Sequence, residues 1–146
     1  MEFISAEEFL KQDDKVQEVF VNWWKPQLFD VYAYKKENKP HRVTDTDLEE
    51  VKENDFLSCK NTGFPLLTEG QLRKFIEDKT NCKMSCDIGE YGYQITLYKF
   101  NEGNRGEEHE VDYYRHFSPM DLNTCNLLQA YWQVAVQIAK ESIDNN

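Results

Sequence analysis

Three strand-like segments in the second half of the chain constrain the fold more than any other feature. They span 83–88, 93–100 and 107–117, and a pair of glycines separates each segment from the next. Glycine accepts the backbone angles of tight turns, so this pattern is typical of strands joined by hairpins. In the second segment Ile95 and Leu97 alternate with polar residues. We therefore predict an antiparallel meander with one buried face, which carries Ile95 and Leu97.

Helix signals flank the predicted meander. Thr68 and Gln71 form the pattern of a capping box, which predicts a helix over 68–80. Ser118-Pro119 is a second start signal, because proline suits the first helical position. The last helix is predicted over about 124–142. Its apolar stripe consists of Leu128, Tyr131, Trp132, Ala135, Ile138 and Ala139. We expect this helix and the 68–80 helix to cover the sheet, and Leu128, Trp132, Ala135 and Ile138 to be buried.

The first half of the chain contains signals for two helices and several short elements. Ser5 and Glu8 form another capping-box pattern. A second helix is expected to begin at Asp13 or Asp14 and to end before Pro26. Beyond it we predict a strand over 28–34, a loop over 35–41, a helical turn capped by Asp45 and a short strand over 56–59.

Chain length sets the expected organisation. A chain of 146 residues is near the common size of one domain and is long enough to bury a core without disulfides or metals. Repeats and low-complexity linkers are absent from the sequence. We predict an α+β fold in a single domain over 1–146, with an antiparallel sheet of three or more strands packed against helices.

The charge of the chain limits its partners. It has 27 acidic and 17 basic residues, which gives a net charge of −10. Such a chain repels phosphate backbones, so we expect no direct contact with nucleic acid. It contains no apolar run long enough to cross a membrane and begins with no basic and apolar leader. We therefore expect no membrane association, no export and reduced cysteines. The acidic surface either keeps the protein soluble or faces a basic partner.

Motifs for metal and cofactor chemistry are missing from the sequence. Cys82 and Cys86 are separated by three residues rather than the two of common zinc knuckles, and Cys59 and Cys125 are isolated. We predict that the cysteines pack as small apolar residues and that the protein holds no metal and no cofactor. A phosphate-binding loop, a metalloprotease motif and a serine-nucleophile elbow are also missing. We predict no catalytic residues and no enzyme activity. Catalysis by a cysteine and a histidine that are far apart in the chain stays open as an alternative.

Two features are candidates for interaction. One is an acidic run, which could dock on a basic surface or form a solvated helical turn; it consists of Asp45, Asp47, Glu49, Glu50, Glu53 and Asp55. The other is the pair Trp23 and Trp24. Neighbouring residues on a helix point about 100° apart, so we expect one tryptophan in the core and the other partly exposed. Tryptophan is enriched at interfaces.

Two segments carry a resemblance. Residues 65–80 and 127–140, together with the opening residues 4–10 and the stretch 23–26, resemble small uncharacterised proteins of temperate phages and prophages of low-GC Gram-positive bacteria. The resemblance covers about half the chain and carries no activity or catalytic residue. What it implies is the setting, namely the bacterial host cytoplasm during infection or lysogeny.

These observations lead to a ranked pair of functional hypotheses. The first is a phage accessory protein that binds a host macromolecule through its acidic surface, as an inhibitor of a defence or housekeeping component. The alternative is a protein that binds or sequesters a small molecule such as a nucleotide signal, in a cavity lined by aromatic and basic residues. Its candidate cations are Arg42, Arg73, Arg105 and Arg115. Two further possibilities stay open: that the protein is a minor virion or assembly component, and that it forms a homo-oligomer.

Overall fold

The computed structural model describes residues 2–37, 39–54, 63–101 and 110–144. The chain divides into two compact units, one comprising Met1–Thr68 with Ala139–Asn146 and the other Glu69–Ile138. Within the described residues there are six helices and two three-stranded antiparallel sheets, which confirms the α+β prediction. The single domain over 1–146 stays a prediction. None of the described helices is both long and apolar enough to cross a membrane.

The first unit combines short helices with a small sheet. Its elements are α1 (Ala6–Leu10), α2 (Asp14–Trp23), β1 (Val31–Tyr34), β2 (His41–Arg42), α3 (Asp45–Asn54) and β3 (Gly63–Pro65). The strand order is β2-β1-β3, and both pairings are antiparallel. Tyr32 at the centre of β1 pairs with His41 on one side and with Pro65 on the other.

Aromatic packing holds the N-terminal helices to this sheet. Ser5 Oγ accepts the Glu8 backbone N–H at 3.2 Å, which confirms that Ser5 caps α1. The Phe9 ring stacks on the Phe64 ring, with centroids 4.6 Å apart and planes at 7°. Phe9 and Phe64 are both fully buried. Buried aromatic pairs of this kind contribute beyond their area alone, so they join α1 to β3.

Three predictions for the first unit are wrong in detail. The loop expected over 35–41 ends before His41, because His41 pairs with Tyr32 in β2. The strand expected over 28–34 begins only at Val31, because Leu28 and Phe29 form a turn. The helix α3 is capped by Thr44 rather than by Asp45, since Thr44 Oγ1 accepts the Asp47 N–H at 3.3 Å. The Thr44 N–H in turn donates to Asp47 Oδ2 at 2.8 Å, completing a capping box. The strand predicted over 56–59 lies outside the described residues.

The second unit contains the predicted meander. Its elements are α4 (Glu69–Thr80), β4 (Lys83–Gly89), β5 (Gly92–Asn101), β6 (Glu110–Phe117), α5 (Pro119–Leu122) and the first part of α6 (Leu127–Asp144). The strand order β4-β5-β6 is that of an antiparallel meander. Gly92 closes the first hairpin with φ 121°, and an added Cβ would lie 3.1 Å from the Thr124 carbonyl oxygen. Glycine is therefore required there.

The register of the meander places its apolar side chains on one face. Met84 pairs with Leu97, and Ile95 pairs with Cys86 on one side and with Phe117 on the other. Ile95 and Leu97 have no exposed surface, as predicted. The stripe residues of the last helix are also buried, as predicted; they are Leu128, Trp132, Ala135 and Ile138.

Polar contacts connect both long helices to β4. On α6, Tyr131 forms a hydrogen bond with the Cys86 side chain, and burial is the main cause that raises the pKa of both groups. On α4, Arg73 donates from Nη2 to the Met84 carbonyl at 2.9 Å and from Nε to Glu77 at 3.0 Å. The expectation that these two helices cover the meander sheet therefore agrees with the contacts that each makes to β4.

The start of α5 is a complete capping box. Ser118 Oγ accepts the Asp121 N–H at 3.2 Å, and Asp121 Oδ2 accepts the Ser118 N–H at 2.8 Å. Hydrogen bonds from the Ser118 backbone and side chain hold the pKa of the Asp121 carboxyl below its usual range. The helix ends at Asn123, whose φ of 44° stops further helical turns.

Replacing Trp132 with Ala tests whether the apolar stripe of α6 is core. Trp132 is 5% exposed, so the substitution should cost about 3–5 kcal/mol in the free energy of unfolding, measured with urea. Gln133→Ala, at an exposed position on the same helix, is the control. A loss below about 0.5 kcal/mol in Trp132→Ala, typical of a surface position, would show that the stripe is not core.

The capping box at Ser118 predicts a pH-dependent loss of stability. The pKa of Asp121 is lower in the folded state than in the unfolded state. The contribution of Asp121 to the free energy of unfolding is therefore present above the ordinary pKa of an aspartate. It is lost as the pH falls through the pKa of the folded state. Asp121→Asn should be less stable than the wild type near neutral pH, and the difference should close in acid. Urea unfolding across this range measures it, with Asp87→Asn as a charge-matched control. A difference that is independent of pH would contradict the prediction.

Candidate functional site

The two tryptophans of the first unit have different environments. Trp24 is 1% exposed, whereas Trp23 is half-buried. Trp23 is the last residue of α2, and Trp24 follows it in an extended conformation with ψ 124°. Trp24 forms a cluster with Tyr32 and Val43, and Trp23 packs against this cluster as a partly buried neighbour. The prediction of one core and one partly exposed tryptophan is confirmed.

The described part of the acidic run lies on α3, a helix that packs against the tryptophan cluster. Leu48 of α3 packs against that cluster. Asp45 and Glu49 are exposed, and Asp47 is half-buried because it holds the cap at Thr44. Glu50 and Glu53 lie on α3, and Asp55 lies outside the described residues. The structure therefore brings the acidic run and the tryptophans into one unit.

A turn over residues 27–30 is pinned by a single carboxylate. Asp30 Oδ2 accepts the Trp24 indole N–H at 3.0 Å and the Gln27 backbone N–H at 3.0 Å. The Asp30 N–H donates to the Gln27 carbonyl at 3.0 Å, which closes a β-turn with Leu28 and Phe29 at its centre. Hydrogen bonds of Asp30 therefore close the turn and also connect it to the buried Trp24 ring.

Phe29 is the unusual residue of this turn. Its φ is 71°, in the left-handed region, and its surface is 64% exposed; Leu28 beside it is 40% exposed. A residue with a Cβ loses about 1–2 kcal/mol in this conformation, and turns of this shape ordinarily use Gly or Asn. The fold therefore holds a large apolar side chain outward in a strained backbone. Strain of this kind is concentrated at functional sites.

Hydrogen bonds place the start of α3 next to Phe29. The Phe29 N–H donates to the Val43 carbonyl at 3.0 Å, and the Val43 N–H donates to the Asp30 carbonyl at 2.8 Å. Because α3 begins at Asp45, two residues after Val43, its acidic first turn lies at the same end of the β1–β2 hairpin as Phe29. Arg42 also lies at this end and donates to the Phe29 carbonyl at 3.3 Å.

The exposed lysines of the hairpin lie at its opposite end. Lys35, Lys36 and Lys39 are in the connection between β1 and β2. His41 stacks on the Tyr32 ring with centroids 5.6 Å apart, and its Nε2 lies 3.0 Å from Glu37 Oε2. The hairpin therefore separates its lysines from the surface that combines Phe29 with Asp45. We call the side chains of Leu28, Phe29, Asp45 and Glu49 the anchor surface.

Sequence reasoning identified the acidic run and the tryptophans but missed Phe29. The segment that starts at Leu28 has the composition of a strand, and it contains neither the glycine nor the asparagine that usually marks a left-handed turn position. The one local signal for an end of regular structure was Pro26. Asp30, which organises the turn, was also missed.

The residues of the alternative hypothesis are scattered. Arg42 supports the Phe29 turn, Arg73 bonds to Met84 and Glu77, and Arg105 lies outside the described residues. Arg115 lines a cavity of the second unit, together with two glutamines. In the described ranges, no three His, Cys, Asp or Glu side chains come together in a group that could hold a metal ion.

The described cysteines are free thiols in three different environments. Cys82 is buried and Cys86 is half-buried, as expected for small apolar residues. For Cys125, which is exposed, the prediction of a packed thiol is wrong, because the residue lies in the connection between α5 and α6. Cys59 lies outside the described residues.

Comparisons of this chain with models of protein families, with curated proteins and with solved structures found no match.

The strain at Phe29 predicts an inversion of the usual order of Ala and Gly. Phe29→Gly should be more stable than Phe29→Ala by about 1 kcal/mol, because both lack the ring but only glycine adopts φ 71° at no steric cost. At Leu28, which has no positive φ, alanine should be the more stable by about 0.5–1 kcal/mol. The free energies of unfolding of the four variants, measured with urea, test this order. If alanine is the more stable residue at both positions, Phe29 is not strained.

Proposed function

We propose that this protein is a phage-encoded accessory protein that binds a basic host protein through the anchor surface. It acts in the bacterial host cytoplasm, as an inhibitor of a defence or housekeeping component. The observation that carries the proposal is Phe29, an exposed aromatic residue in a strained conformation on a pinned turn. Few contacts carry most of the binding energy at protein interfaces, and buried aromatic anchors are prominent among them.

The two parts of the anchor surface suit different steps of binding. Phe29 offers a large apolar side chain whose backbone is already ordered, so little further entropy is lost when a pocket on the partner receives it. Asp45 and Glu49 offer exposed charge on α3, whose start is tied to the Phe29 turn through the backbone of Val43. Charge of this kind speeds the encounter with a basic surface and aligns the partners. The net charge of −10 acts in the same direction.

The experiment is capture of a partner followed by affinity measurement. The 146-residue chain serves as bait in a lysate of a low-GC Gram-positive bacterium, and the captured protein is identified, purified and titrated. Phe29→Ala should weaken the affinity about tenfold or more, mainly through faster dissociation. Asp45→Asn with Glu49→Gln should mainly slow association and reduce its dependence on salt. Asp47 is left unchanged because it caps α3.

Charge-matched controls separate the anchor surface from general acidity. Glu2→Gln with Glu18→Gln removes the same charge from two exposed positions elsewhere in the first unit and should leave the association rate close to that of the wild type. If this control slows association as much as Asp45→Asn with Glu49→Gln does, the association rate depends on net charge alone and not on the anchor surface. If a partner binds the Phe29→Ala protein as tightly as the wild type, the anchor surface is not the binding site.

A further inference from the structure

A polar cavity in the second unit offers a site that is independent of the anchor surface. It has a volume of about 380 Å³, within the range of ligand pockets. Three elements form it: the end of β6, the helix α5 and one face of α6. The lining residues are Arg115, His116, Phe117, Asp121, Leu122, Gln133 and Gln137. Because β6 is an outer strand of its sheet, residues from both of its faces can line a cavity beside it.

A cation is held in place at this cavity. The Arg115 guanidinium carbon lies 4.7 Å from the centroid of the Phe117 ring, and that ring is buried. A guanidinium over the face of an aromatic ring is attracted by the ring quadrupole, so this contact restricts the position of the Arg115 head group. His116, the next residue, is fixed by a 2.9 Å contact between its Nδ1 and Thr96 Oγ1. A positioned guanidinium suits two-point recognition of a phosphate or carboxylate.

Two carboxamides face the cavity from α6. Gln133 and Gln137 are one helical turn apart and are exposed, on a helix whose neighbouring residues Val134, Ala135 and Val136 are buried. Each carboxamide both donates and accepts hydrogen bonds, so together they can recognise hydroxyls or the edge of a base. Such a lining disfavours a wholly apolar ligand, because burial of the polar groups without partners would cost free energy.

One carboxylate sets a limit on the charge of the ligand. Asp121 lines the cavity, and its Oδ2 accepts from the Ser118 N–H at 2.8 Å and from Ser118 Oγ at 2.9 Å. These hydrogen bonds lower its pKa, so it is ionised near neutral pH. The Arg115 charge also lowers the pKa of this carboxyl, so the two groups lie close enough to interact. A ligand with several phosphates would therefore carry more negative charge than this lining can balance, and we expect at most one anionic group at Arg115.

We propose that this cavity binds a small phosphate monoester, with its phosphate on Arg115 and its hydrogen-bonding body on Gln133 and Gln137. Nucleoside monophosphates and sugar phosphates share this chemistry. Phe117 and Leu122, which also line the cavity, provide the limited apolar surface that a ribose or base contacts. The site lies wholly within the residues of the second unit, so it stands whether or not the anchor surface binds a partner.

Titration calorimetry on the whole 146-residue chain tests the proposal with defined probes. The probes are adenosine monophosphate, guanosine monophosphate, glucose 6-phosphate, adenosine triphosphate, adenosine and inorganic phosphate. At least one monoester should bind saturably, one per chain, with a dissociation constant below about 1 mM. The triphosphate of the same nucleoside, the free nucleoside and inorganic phosphate should each bind at least about tenfold more weakly than that monoester.

Three variants assign the binding to this cavity. Arg115→Ala should weaken monoester binding about tenfold or more, whereas Arg42→Ala, which removes the same charge outside the cavity, should not. Gln133→Ala with Gln137→Ala should weaken the monoester but not inorganic phosphate. These glutamines are exposed, so this variant keeps the assay informative if Arg115→Ala fails to fold. The proposal is overturned if no monoester saturates, if the Arg115 and Arg42 variants lose affinity equally, or if inorganic phosphate binds as tightly as the esters.

Discussion

The first unit depends on the carboxylate of Asp30. This one group accepts the indole N–H of Trp24, which is buried, and the backbone N–H of Gln27. It thereby fixes where the chain leaves α2, how the turn over 27–30 closes and where β1 begins. A buried indole N–H without an acceptor would cost free energy, so the bond is as important for Trp24 as for the turn. The position of α3 follows through Val43, which bonds to both Asp30 and Phe29.

The strained residue and the acidic helix are consequences of the same arrangement. Because Val43 is bound to the turn on one side and leads into the Thr44 cap on the other, Phe29 and Asp45 are brought to one end of the hairpin. An exposed Phe in a left-handed conformation is unfavourable for folding alone. Its position at the same end of the hairpin as Asp45 is the basis of the binding proposal.

Local patterns predicted the regular elements well. The capping pairs at Ser5 and Ser118 involve residues three apart, so their signals are readable without tertiary context. The alternation around Ile95 and Leu97 likewise determines which side chains share a face once a strand forms. The strand predicted from residue 28 failed because the turn there is closed by Asp30 and Val43, and composition alone does not indicate which backbone groups those residues will meet.

The sequence by itself determined most of the helices, the meander, the acidic composition of the segment that forms α3 and the expectation that the two tryptophans would differ. These depend on periodicity, capping and charge, which are properties of neighbours in the chain. Only the tertiary structure decided that Phe29 is held outward beside Asp45, and that Arg115 shares a cavity with Gln133 and Gln137. Both sites join residues from different elements, and their proximity comes from hydrogen bonds and packing between those elements, which no local pattern encodes.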